Sequence, residues 1–154
     1  MELILWRHAE AEAGEPDLAR RLTAKGEKQA RRAAEWLHAQ LPDAARLLVS
    51  PAIRAQQTAR PLAEMSKRRL KTVERLAPGA TVDDVLAAAN WPDGRSTVVI
   101  VGHQPVLGRA ASRLLAGREL DWAIKKGGLW WISSRARNGE DHLVLRAVIS
   151  PDLL

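Results

Sequence analysis

Residues 97–103 read TVVIVGH, an unbroken apolar, β-branched run that ends on a glycine and a histidine. No other segment restricts the fold as much. The run has no polar alternation, so a strand made from it needs cover on both faces. TVDDVLAAA, a helix with a threonine cap, precedes it, and Pro105 opens a helix through Leu115 behind it. A doubly covered strand between helices belongs to a sheet with helices on both faces. LILWRH, residues 3–8, has the same design and the same ending. The chain has four histidines, and two of them, His8 and His103, stand immediately beyond such strands. If the two strands are parallel neighbours, both rings face one crevice at the strand ends, where open α/β sheets take their ligands.

The other segments fit this plan. Residues 2–7 form the first strand. Thr23 caps a helix with Glu27 in its first turn, running to about Gln40, with Ala30, Ala33, Ala34, Leu37 and Leu41 on its apolar stripe. ARLLVSP is a short strand ended by Pro51, and a helix follows from Ala52 to Met65. KTVERL reads as a third strand or edge segment, and GLWWIS and LVLRAVI as two late strands. WPDGRS and SRARNGED read as loops, the second a hairpin turn on Asn138 and Gly139. There is no repeat, low-complexity tract or internal boundary, so residues 1–154 are expected to form one domain.

Composition narrows the function classes. With 46% hydrophobic and 27% charged residues the chain is globular in type, not disordered. It has no Cys, which removes thiol and disulfide chemistry and favours a reducing compartment. MELILWR carries charge too early for a signal peptide, and no apolar run has the length of a bilayer span. A cytoplasmic location is the expectation. Lys and Arg total 24 against 18 acidic residues, giving +6. That balance suits phosphate, nucleic acid or an acidic protein. The densest basic run, KRRLK at 67–71, reads as a solvated helix end feeding a strand. It lacks the interleaved aromatics of a single-strand-binding surface, so specific nucleic-acid binding is not expected. A metal site is not suggested either, without cysteines or a tight His/Asp cluster.

Arg7 precedes His8, and Arg54 lies in the first turn of the helix after LLVSP. Two histidines and two arginines thus become available to one anion, and guanidinium groups grip phosphate oxygens in a two-pronged fashion. Around them, Ser50 falls at the crevice, Thr58 lies one turn beyond Arg54 where it braces that residue or fills space, and Gln57 and Gln104 line the mouth or stand as surface amides. Gly102 permits close approach to a ligand or serves a plain turn. His38 and His142 read as surface residues. Of Trp130 and Trp131, adjacent in one strand, one faces the core and one faces outward.

RHAEA, LTAKGEKQA, SPAIRAQQTA and VGHQPVLG, in this order and spacing, resemble the histidine phosphatase superfamily, and more closely its short phosphohistidine phosphatases of the SixA type. The resemblance runs through KKGGLWWI to the last strand. Ala9 stands where the larger superfamily usually has Gly. The resemblance implies a three-layer α/β/α sandwich with a mixed central sheet, the phosphoglycerate-mutase-like fold, without a large cap insertion. It implies His8 as the nucleophile that is transiently phosphorylated, Arg7 and Arg54 as arginines that hold the phosphoryl group, and His103 as a second histidine contacting it. No metal or organic cofactor is implied. The implied partner is a phosphorylated protein, such as a histidine-containing phosphotransfer domain.

Larger relatives carry an acidic residue on an inserted segment that protonates an alkoxide leaving group. Here the link from SPAIRAQQTA to VGH is short, and Glu10, Glu12 and Asp17 are candidates only by proximity in sequence. A phosphorylated imidazole leaves more readily than an alcohol, so phosphohistidine on a protein is the leading substrate. Small phosphomonoesters or nucleotides are the alternative. A non-catalytic basic module for phosphoproteins is the third reading, and it would not need His8.

Overall fold

The computed structural model describes all residues, Met1–Leu154. A six-stranded sheet has the order β3-β2-β4-β1-β5-β6, with β1 Glu2–Arg7, β2 Arg46–Val49, β3 Leu70–Thr72, β4 Thr97–Gly102, β5 Leu129–Arg137 and β6 Glu140–Ile149. The strands β1 to β4 run parallel, while β5 is antiparallel to β1 and β6 antiparallel to β5. The helices are α1 Ala24–Gln40, α2 Ile53–Ser66, α3 Val82–Ala89 and α4 Val106–Ala116.

The two apolar runs that lead into His8 and His103 lie side by side in the sheet centre. β1 pairs with β4 in parallel from Glu2 opposite Thr97 to Arg7 opposite Gly102. Their side chains alternate between two cores, which is why neither sequence alternates in polarity. Ile4, Trp6, Val99 and Val101 pack under α1 and α2 with Leu37 and Leu62. Leu3, Leu5, Val98 and Ile100 pack on the other face with Val85, Leu107 and Ala110 of α3 and α4. The result is a mixed sheet between two helical layers. β3, a short 3-10 turn and α3 are the only elements between α2 and β4, so no cap subdomain is inserted there. No helix is long and apolar enough to cross a membrane.

Local signals set the helix starts. Thr23 accepts a hydrogen bond from the Gly26 amide at the start of α1. Thr81 and Asp84 form a reciprocal capping box at α3. Pro105 stands as the residue before α4.

Two boundaries differ from the sequence reading. KTVERL is strand only through Thr72, and Glu74–Leu76 is a 3-10 turn. The partner strand explains this, since β2 ends at Val49, whose carbonyl takes a last bond from the Val73 amide at 2.9 Å. SRARNGED is not a loop over its length. Only Asn138 and Gly139, both at positive φ, form the turn, and the flanking residues pair as far as Arg137 with Glu140. KRRLK is a helix end feeding a strand, with Lys67 in the left-handed conformation closing α2. Trp131 is buried against Trp36, while Trp130 is half-buried on the other face beside Trp122.

Candidate active site

His8 and His103 each follow the last residue of a parallel strand, and the His8 amide donates to the Gly102 carbonyl at 3.0 Å. The adjacency the sequence left conditional therefore holds. The two rings face each other at 5.2 Å between centroids. Arg54 arrives from the first turn of α2, and Arg7 from the last position of β1. With Arg20, Ala11, Pro78, Gly79, Gln104 and Lys126 these four side chains line one pocket of about 250 Å³.

The His8 tautomer follows from its partners. Nδ1 lies 2.8 Å from the Ala9 carbonyl oxygen, which can only accept, so Nδ1 carries the proton. Nε2 then keeps its lone pair, and Arg54 Nε donates to it at 3.3 Å. Burial pulls the His8 pKa down to about 4, with Arg54, Arg7 and Arg20 adding to the shift against the Ala9 hydrogen bond. At neutral pH the ring is uncharged.

His103 is held from the other side. Its Nε2 is 2.7 Å from the Ser50 hydroxyl oxygen, and its Nδ1 is 3.4 Å from Arg54 Nη2. Arginine can only donate, so Nδ1 accepts and Nε2 carries the proton to Ser50. Burial, then His8 and Arg54, lower this pKa to about 3. Ser50 is fully buried, and its Oγ also takes the Ala52 amide at the entry to α2, which ties the ring to the start of that helix.

Arg54 is 4% exposed, and almost all its donors are fixed. Nη1 donates to the Asp17 carbonyl at 2.8 Å and Nη2 to the Asp17 carboxylate at 3.1 Å. The same carboxylate takes Arg20 Nη1 at 3.0 Å. Hydrogen bonds from Arg20 and Arg54 hold the Asp17 carboxyl below the usual range. Asp17 is therefore an ionised anchor for two arginines. Glu10 is engaged with Thr23 and Lys25, and Glu12 meets Arg20 through its backbone carbonyl. None of the residues lining the pocket carries a carboxyl group. Arg7 Nη1 donates to the Ile124 carbonyl at 2.8 Å, while its buried Nε has no partner.

Thr58 does not brace the Arg54 side chain. Its hydroxyl donates to the Arg54 carbonyl and accepts the Ala9 amide, linking α2 to the residue after His8. Gln104 reaches the pocket, but Gln57 does not, because it holds the Leu22 amide at 2.8 Å. Gly102 has ordinary space beside it, with Leu107 3.7 Å from an added Cβ, and nothing in the structure explains this glycine. Arg20 and Lys126 are pocket residues that the sequence reading passed over. The Asp17–Arg20 spacing hints at an ion pair, but no periodic pattern places residues 11–22 over the crevice.

The sequence pattern of the histidine phosphatase superfamily (branch 1) matches residues 3–78. A phosphohistidine phosphatase SixA homolog of Haemophilus influenzae is 32% identical over 131 residues, covering 77% of this chain and 79% of that protein. The chain belongs to the histidine phosphatase superfamily. Phosphohistidine phosphatase SixA of Escherichia coli is 30% identical over 122 residues, 76% of each chain. Among solved structures, the protein histidine phosphatase SixA complexed with tungstate superposes with a TM-score of 0.82 at 25% identity, covering 99% of both chains. The fold and the hydrolytic phosphatase class of this chain are those of the superfamily's SixA-like members.

Proposed function

We propose that this chain removes phosphate from a histidine of a partner protein through a covalent intermediate on His8. One observation carries the reading. His8 is fixed with its proton on Nδ1 and its lone pair on Nε2, inside a pocket walled by Arg7, Arg20, Arg54 and Lys126. A nucleophile needs an unprotonated Nε2, and a binding module does not.

In the proposed sequence Nε2 of His8 attacks phosphorus in line, and the P–N bond to the substrate ring breaks. A substrate ring protonated on its other nitrogen leaves as neutral imidazole. Nucleophile and leaving group are then the same chemical type, so a pocket without a carboxylic acid suffices. Arg7 and Arg54 balance the charge on the transferring oxygens. A phosphoryl oxygen also supplies the acceptor that the buried Arg7 Nε lacks. Water then attacks phosphorus, releases phosphate and returns His8 to its neutral form. Once the anion replaces its Arg54 contact, His103 Nδ1 takes a proton from solvent water and donates it in a hydrogen bond to a phosphoryl oxygen. That a SixA relative forms a complex with tungstate, a tetrahedral oxyanion like phosphate, supports an anion-binding role. The proposed partner is a phosphorylated protein of the histidine-containing phosphotransfer class.

Turnover efficiency on a phosphohistidine protein, a phosphoserine peptide and an alkyl phosphomonoester at neutral pH tests the substrate assignment. The phosphohistidine protein is expected to be fastest, with Glu10→Gln, Glu12→Gln and Asp17→Asn leaving that order unchanged. Preference for the alkyl ester, lost selectively in one of these variants, would make small phosphomonoesters the substrate and that carboxyl the acid.

A further inference from the structure

A second concave surface lies between α1 and α2, a groove of about 450 Å³. Arg21, Lys28, Arg31 and Arg60 stand along it against two carboxylates, Glu27 and Glu64. All four cations are exposed, and none of the ion pairs in the structure involves them. Glu27 and Arg31, like Arg60 and Glu64, have helical i,i+4 spacing, but exposed pairs of that kind contribute little and leave the groove positive.

The groove starts where the catalytic pocket ends. Arg20 lines the pocket and its neighbour Arg21 lines the groove. Arg54 lines the pocket, and Gln57, one turn on along α2, lines the groove. At 1.5 Å per residue, Pro61 lies about 10 Å and Glu64 about 15 Å beyond Arg54 along the helix. A partner surface that extends about 10–15 Å along α2 from a phosphohistidine in the pocket reaches this groove. Two other charged recesses differ. The one at Arg109 and Arg113 has its arginines paired with Asp121, Asp83 and Glu119. The one formed by KRRLK with Arg46 includes residues at the start of β2, the end of the sheet opposite His8.

The geometry points to the α1–α2 groove as the docking site for an acidic surface beside the phosphohistidine of the substrate protein. This inference rests on the function proposed above. Uncompensated cations at a rim steer an oppositely charged partner and fix its register, whereas the phosphoryl pocket alone recognises any phosphohistidine.

The test uses the full chain and three probes: free phosphohistidine, an Asp/Glu-rich peptide phosphorylated on a central histidine, and the same peptide unphosphorylated and fluorescently labelled. The variant is R31E/R60E. The control is R69E/K71E, which changes net charge equally at the β3 edge of the sheet, outside both the pocket and the groove. For R31E/R60E, kcat/KM on the acidic phosphopeptide is expected to fall about tenfold or more at low salt, mostly through KM. Labelled-peptide binding should weaken in step, and turnover of free phosphohistidine should stay unchanged. R69E/K71E should keep the docking. Equal losses in both variants, or no loss in either, would overturn the inference. The proposed function fails separately, through a wild-type enzyme that hydrolyses an aryl phosphate and ignores both phosphohistidine probes; the labelled peptide then still decides whether the groove binds acid. R31Q/R60Q, with a smaller effect of the same sign, serves if the double reversal does not fold.

Discussion

At the scale of single residues, Arg54 has the most to do. Its guanidinium meets the Asp17 carbonyl, the Asp17 carboxylate, His8 and His103 at once. Lysine keeps the charge but offers a point donor on a flexible stem, so it cannot stay anchored on Asp17 while its other donors turn from the histidines to the phosphoryl oxygens. Arg54→Lys is expected to raise the barrier by about 2–4 kcal/mol, the range for a lost oxyanion-type donor. Steady-state kinetics on an aryl phosphate measure this, with kcat falling more than KM rises. Unchanged efficiency would reduce Arg54 to a long-range charge. Ser50 provides a subtler case. Ser50→Ala leaves the His103 Nε2 proton without its acceptor and frees the ring to turn, so kcat should fall while the fold persists in thermal unfolding.

At the scale of elements, α4 supports the Arg7 side of the pocket through a close approach. An added Cβ on Gly108 would stand 1.7 Å from the Trp122 carbonyl oxygen, so only glycine lets α4 lie against that segment. Gln104 fastens the same place, donating to the Trp122 carbonyl and accepting the Gly108 amide. Two residues on, the Ile124 carbonyl holds Arg7. Gly108→Ala should therefore cost about 1–3 kcal/mol by overpacking and lower activity through Arg7. Urea midpoints together with kcat/KM check both halves. This segment also marks what a sequence can carry. The strands ending at His8 and His103, the threonine caps and the Asn138–Gly139 turn were legible because each rests on local pattern or turn chemistry. Lys126, Arg20 and the bond between Ser50 and His103 were not, because irregular backbone brings them in and no periodicity records its path. The 3-10 turn at Glu74–Leu76 was hidden for a related reason: its partner strand ends at Val49, a fact held elsewhere in the chain.

At the scale of the molecule, the sheet holds two neutral imidazoles in a cationic pocket, and stability carries the consequence. The folded pKa values, about 4 for His8 and about 3 for His103, lie below the unfolded value of about 6.5. Between these limits the unfolded chain binds more protons, so acid favours unfolding. The contribution is fully present above pH about 6.5 and is lost as pH falls toward 4 and then 3. Urea unfolding from pH 7 to pH 4.5 should show this decline, and a His8→Asn, His103→Asn double variant should show less of it. Asp17, held low by Arg20 and Arg54, adds a further loss at more acidic pH. The same neutrality is what the proposed covalent chemistry requires, and it leads to the most direct measurement. The enzyme is mixed with a radiolabelled phosphohistidine protein, quenched within its first turnovers and digested. The account predicts an acid-labile, alkali-stable label on the peptide bearing His8, formed before free phosphate and missing in His8→Ala, which should fold and not turn over. Full turnover without labelled enzyme, or normal turnover in His8→Ala, would contradict it.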